Sequence, residues 1–161
     1  MIPYTDVQKR ILDEVNRYAP ALQEVQMNER AMASMMLLIA EDNPINQKLA
    51  IMQVRKLGYQ AEAVADGHEA LTAMETGRYA LVLMDWQMPG MDGLRATAAI
   101  REMEAQTVGR ARTPIIAMTA NAMEGDRERC LAAGMDDYLA KPVRLAELSA
   151  VLARWTELVT S

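Results

Sequence analysis

Phenylalanine is absent from this sequence, and cysteine and histidine occur once each, at positions 130 and 68. A lone cysteine excludes an internal disulfide and any zinc site built on thiolates, and it fits a reducing, intracellular compartment. No stretch approaches the run of about 18 apolar residues that a membrane span requires. The opening MIPYTDVQKR is charged where a secretory signal would be apolar, so we expect a cytoplasmic protein without membrane contact of its own. Basic residues are in deficit. Seventeen Lys and Arg against 22 Asp and Glu leave a net charge of −5, which argues against a nucleic-acid surface.

What is present suits a packed domain. Apolar residues make up 51% of the 161, enough for one core with room for a short extra element. Fourteen methionines stand where phenylalanine would be expected. Methionine fills irregular core gaps, and that role covers most of them without a functional groove.

From residue 35 onward, apolar runs alternate with amphipathic stretches. The runs are MMLLIA (35–40), AEAV (61–64), YALVLM (79–84), PIIAMT (114–119) and YLA (138–140). Helical patterns cover 44–57, 67–76, 93–104, 121–133 and 143–158. Strand then helix, five times over, predicts a parallel sheet with helices on both faces, and uniformly apolar strands suit burial on both sides. Asn43-Pro44 reads as an N-cap followed by Pro at the first helical position. Gly58, Gly77 and Gly134 each follow a helical stretch, where a left-handed residue closes the last turn.

Residues 1–33 differ in kind. Ile11, Val15, Tyr18, Leu22 and Val25 are spaced 4, 3, 4 and 3, which lays them on one helical stripe. Pro20 falls inside the stripe and is expected to kink or split it. The plain reading is a helical hairpin or linker docked on the domain; the sharper one is a dimerisation helix. We divide the chain into an extension, 1–33, and a domain, 34–161.

In open parallel sheets, ligands bind outside the carboxyl ends of the strands. Here strand one runs into Glu41-Asp42, strand three ends in Asp85, strand four in Thr119, and strand five leads to Lys141. Each has a bland explanation: a turn, a loop cap, a helix cap, a solvated charge before Pro142. Together, three acids, a hydroxyl and an amine at one edge are poorly explained by chance. Clustered carboxylates repel one another unless cations intervene, and an all-oxygen donor set favours Mg²⁺ over zinc, with Mn²⁺ as a substitute. Such a site keeps Asp85 ionised and nucleophilic toward phosphorus, with the metal, Lys141 and Thr119 meeting the phosphoryl oxygens.

The segments LLIAEDNPINQKLA, LVLMDWQMPGMDG and PIIAMTANAMEGDRERCLAAGMDDYLAKP resemble the receiver domains of two-component response regulators, most closely those attached to hybrid sensor histidine kinases. The resemblance covers residues 35–158. It implies a flavodoxin-like, doubly wound five-stranded parallel sheet in the order 2-1-3-4-5 with five helices, here with the N-terminal helical extension. It further implies Asp85 as phosphoacceptor, and Mg²⁺ held by Asp42 and Asp85 directly, Glu41 through water and Gln87 through its backbone carbonyl. Thr119 and Lys141 would contact the phosphoryl group, Tyr138 would change rotamer with Thr119, and Gln87 and Asn121 would tune how fast the group is lost. The Lys141-Pro142 bond would be cis. The donor would be a phosphohistidine on a histidine kinase or phosphotransfer protein, since no G-x-x-x-x-G-K nucleotide loop is present. Phosphorylation would then bias the face of the fourth helix, fifth strand and fifth helix, near 121–158, toward a downstream protein or a second copy. With the chain ending soon after that helix, output is expected through a protein contact or a domain elsewhere.

Two other functions fit the sequence less well. A phosphohydrolase of the haloacid-dehalogenase kind also uses an aspartyl nucleophile, but it needs a second aspartate where Gln87 stands and places its nucleophile on the first strand. A phosphorylation-independent scaffold, binding through 1–33, would leave the acidic cluster without purpose. His68 reads as an exposed helical residue, Cys130 as an inert buried thiol, and Trp86 as a reporter beside Asp85.

Overall fold

The computed structural model describes residues 4–120 and 125–160. The elements follow in the order α1 (Tyr4–Ser34), β1 (Met36–Ala40), α2 (Pro44–Lys56), β2 (Gln60–Val64), α3 (Gly67–Glu75), β3 (Tyr79–Asp85), α4 (Gly93–Gln106), β4 (Ile115–Thr119), α5 (Asp126–Ala132), β5 (Asp137–Ala140) and α6 (Leu145–Thr160). The strands form one sheet in the order β2-β1-β3-β4-β5, every neighbouring pair parallel. This is the expected doubly wound fold.

Strand alternation divides the core between two faces. Leu38, Ala40, Val82, Met84, Ile115 and Ala117 point to the side covered by Ala70 and Met74 of α3, Ala96 and Ile100 of α4, and Cys130 of α5. Leu37, Ile39, Leu81, Leu83, Ile116, Met118 and Leu139 point to the side covered by Val54 of α2 and Leu148, Val151 and Leu152 of α6. The faces differ in composition. The first buries Met74, Met84, Met88 and Met135, whereas among the described residues Met118 is the only buried methionine in the second.

Caps form where the sequence placed them. Asn43 Oδ1 accepts from the amides of Ile45 (2.9 Å) and Asn46 (3.2 Å) at the start of α2. Gly58, Gly77 and Gly134 all have positive φ.

Two expectations are corrected. α1 is one helix across Pro20 rather than a hairpin or two pieces, because a proline strands a single carbonyl while the turns on either side keep their bonds. The helix expected over 121–133 begins, as described, at Asp126 behind Gly125, whose φ of 99° is not helical. Residues 121–124, Asn121 among them, lie outside the described residues.

At the amino edge of the sheet, Arg101 of α4 binds together three separate segments. Its guanidinium reaches Glu104 Oε1 (2.5 Å), Asp136 Oδ2 (2.7 Å), and the carbonyls of Thr113 (2.8 Å) and Gly134 (2.9 Å). The acids also accept backbone amides, Glu104 from Thr113 at 2.6 Å and Asp136 from Ile115 at 2.8 Å. This fully bonded cluster fixes where β4 and β5 start, and therefore where they end.

Candidate functional site

Strand register decides which side chains meet. Ala40 pairs with Met84, Asp85 with Met118, and Thr119 with Ala140. Glu41, Asp85, Thr119 and Lys141 therefore leave the sheet at nearly one level. Backbone bonds carry the ladder to that edge: Glu41 N to Val64 O (3.0 Å), Trp86 N to Met118 O (3.0 Å) and Lys141 N to Thr119 O (2.7 Å). The loop after Asp85 is held from below. Gly93 N bonds Trp86 O at 2.9 Å, and a Cβ on Gly93 would collide with the carbonyl oxygen of Asp85, so only glycine lets α4 start there.

The side chains converge on a cavity of about 410 Å³ lined by Glu41, Asp42, Asp85, Trp86, Thr119 and Lys141, among others. One carboxylate oxygen from each of Glu41, Asp42 and Asp85 falls within 4.8 Å of the others, with Glu41 and Asp85 buried and Asp42 exposed. Lys141 Nζ lies 2.9 Å from Glu41 Oε2 and 3.2 Å from Asp85 Oδ1. Asp85 Oδ1 also accepts from the backbone amide of Gln87 (3.3 Å), and Glu41 Oε1 from the backbone amide of Asn43 and the side-chain Nδ2 of Asn46 (3.4 Å each). Thr119 is buried at the end of β4, and the Gln87 side chain is exposed. The Lys141-Pro142 peptide is cis. Tyr138, half-buried, packs on the face that carries α3, α4 and α5.

One ammonium serves two carboxylates, and it serves them unequally. Burial alone would raise Glu41, but the bond and charge of Lys141 outweigh it and hold the carboxyl below its usual range. Burial and the neighbouring Glu41 charge push Asp85 up to about 6, against the pull of Lys141. Burial would lower Lys141, but its bond to Glu41 and the charge of Asp85 raise it. A buried cluster of hard oxygen donors with this surplus of negative charge matches a divalent cation such as Mg²⁺.

The sequence did not single out Arg129, Asp126 or Asn46, all of which line the cavity. The Arg129 guanidinium stacks 5.4 Å from the centre of the Trp86 ring, and Asn46 reaches Glu41. No local pattern marks them. They arrive because α2 and α5 pack beside the same edge.

Residues 37–153 match the family model of the response regulator receiver domain. The chain belongs to the receiver family.

Relatives agree with that assignment. The chain is 43% identical over 122 residues to the sensor histidine kinase GacS of Pseudomonas protegens, an alignment of 76% of this chain and 13% of GacS. It is 40% identical over 125 residues to RcsC of Salmonella typhi, covering 78% of this chain and 13% of RcsC. The receiver thus spans about an eighth of the length of these hybrid kinases. Among solved structures, the receiver domain of sensor histidine kinase PA1611 from Pseudomonas aeruginosa, with magnesium coordinated in its active-site cleft, is 52% identical. It has a TM-score of 0.67 and covers 76% of this chain and 98% of that one. The receiver of Saccharomyces cerevisiae Ssk1, solved with the histidine phosphotransfer protein Ypd1, is 33% identical with a TM-score of 0.72, covering 77% and 90%. A receiver is a regulatory, phosphoaccepting module of two-component phosphorelay. Among the described residues of this one, no helix is long and apolar enough to cross a membrane.

Proposed function

We propose that Asp85 takes a phosphoryl group from a phosphohistidine on a histidine kinase or histidine phosphotransfer protein. A carboxylate oxygen of Asp85 attacks phosphorus in line with the imidazole nitrogen. The P–O bond forms as the P–N bond breaks, and the imidazole leaves with the electron pair and takes a proton from water. The observation that carries this reading is the Lys141 ammonium held 3.2 Å from Asp85 among three converging carboxylates. Glu41, Asp42, Asp85 and the Gln87 carbonyl would hold Mg²⁺ or Mn²⁺. Bound there, the ion would offset the charge of the carboxylates and of the incoming phosphoryl oxygens. Lys141 would turn from Asp85 to one of those oxygens, and the buried Thr119 hydroxyl would meet another.

Once Asp85 is phosphorylated, Thr119 drawn toward it vacates space that the half-buried Tyr138 ring can take. That shift biases the surface of α5, β5 and α6 toward a downstream partner. Gln87 and Asn121 set the lifetime of the phosphoryl group, which the receiver itself hydrolyses slowly. The PA1611 magnesium and the Ssk1 complex with Ypd1 support the reading by likeness.

Intact-mass spectrometry after incubation with Mg²⁺ and acetyl phosphate tests it. A single phosphoryl adduct that requires the metal and is lost in Asp85→Asn is expected. An adduct that persists in the variant would move the acceptor elsewhere, and none at all would leave a scaffold.

A further inference from the structure

The first half of α1 is exposed on every side. Each residue from Thr5 to Arg17 is open to solvent, whereas Met32, near the other end, packs against the core cluster that includes Val54 and Tyr59. Among these open residues Val7, Ile11, Leu12 and Val15 are 41%, 58%, 59% and 54% exposed, which is a poor end for four large apolar side chains. A helix of 31 residues runs for about 46 Å, and a free-standing stretch of it is marginal in water without something against its apolar stripe.

The pattern says what that something is. Place Ile11 at position d of a heptad, and Val15, Tyr18, Leu22 and Val25 follow at a, d, a and d. Asp6, Lys9, Arg10, Asp13, Asn16 and Arg17 then occupy b, c and f, turned from the seam, and Pro20 falls at f as well; over 7–25 Gln8 is the one polar residue at a, and Glu14 takes g. Val7 and Leu12 take g and e. Those are the positions that meet, five residues apart, across two parallel helices in register. In most coiled coils such a pair is charged; here it is apolar on both sides and widens the seam. A second copy running parallel therefore covers all four exposed side chains at once. Antiparallel pairing joins g to g and e to e, and leaves the Val7–Leu12 match unused.

We propose that residues 7–25 form a parallel, in-register coiled coil with a second copy of this chain, so that two receivers hang from one two-stranded stem. The interface is independent of Asp85 and of the phosphorylated state.

Sedimentation velocity of the full chain, from micromolar to near-millimolar concentration, tests the stem. The expected species is a dimer of twice 17.9 kDa that falls to monomer in the double variant Ile11→Lys, Val15→Lys, with acetyl-phosphate labelling of Asp85 retained. A wild-type monomer throughout, or a dimer indifferent to the two lysines, overturns the proposal. Orientation is read by oxidising Ile11→Cys, with Lys9→Cys as control, while the native Cys130 stays buried. Rapid 11–11 cross-linking with little at position 9 is expected. A dimer that cross-links at neither site, or equally at both, overturns the parallel register.

Discussion

Lys141 Nζ stands closer to Glu41 than to Asp85, by 2.9 Å against 3.2 Å, and the two acids respond in opposite directions. The acid with the shorter contact is the one held ionised. The more weakly served one, Asp85, carries the unrelieved charge.

That imbalance predicts a stabilising substitution. The folded pKa of Asp85 is raised to about 6. Its protonated form therefore supports the fold fully below the unfolded value near 4, and the support is lost as pH rises through about 6. At pH 7 in EDTA, Asp85→Asn is expected to unfold at higher urea, a gain of about 1–3 kcal/mol. Added Mg²⁺ should narrow the gap by favouring the wild type. An Asn variant less stable than wild type in EDTA would contradict the charge balance described here.

Arg101 makes the opposite case. Its side chain is 14% exposed and bridges two acids, Glu104, which otherwise accepts from the Thr113 amide, and Asp136, which also takes Arg112 and the Ile115 amide. Arg101→Ala leaves the buried Glu104 without its cation and Asp136 with Arg112 alone, 2.9 Å away, and a loss of about 3–5 kcal/mol is expected in denaturant titration. Arg101→Lys should recover only part of it, since an ammonium lacks the planar fork that reaches Glu104, Asp136 and Gly134 together.

On α2, Ile45, Leu49 and Met52 are exposed, and Leu49 also lines an apolar groove of about 360 Å³ that opens beside Lys141. On the function proposed above, a donor protein delivering phosphohistidine to Asp85 would rest on this surface. Leu49→Glu is expected to slow transfer from a phosphotransfer protein by about tenfold while acetyl-phosphate labelling stays unchanged. Equal loss with both donors would place the effect in the site rather than on the surface.

Cys130 should be chemically silent. Burial first, then the Asp126 charge, push its thiol up to about 11, with Arg129 opposing. At pH 8 the thiolate fraction is then about one in a thousand, and a thiol reagent should modify the protein only at the rate of unfolding. Fast stoichiometric labelling of the native protein would contradict this burial.

Most of the sheet and four of its edge residues were legible because they rest on local signals: apolar runs of strand length, and acids or amines where those runs stop. Thr119 and Lys141 could be read with Glu41 and Asp85 because parallel register carries equal strand ends to one level. The Arg101 network was not legible. Its members at 101, 104, 113, 134 and 136 share no period, and only the packing of α4 on the amino edge unites them. The stacking of Arg129 on Trp86 escaped for the same reason. Pro20 does not split α1, because the turns on either side of it keep their own bonds. The helix after β4 misled because helical periodicity does not reveal the left-handed Gly125.

The uneven sharing of methionine between the two faces has a mechanical consequence. Beneath α2 and α6, branched Leu and Ile side chains interlock in few rotamers, so a helix there can move only by opening voids. Beneath α3, α4 and α5, the unbranched thioethers of Met74, Met84, Met88 and Met135 can refill displaced volume by rotation. One side of the sheet acts as a rigid mount. The other is a compliant bearing, and it lies under Tyr138 and α5.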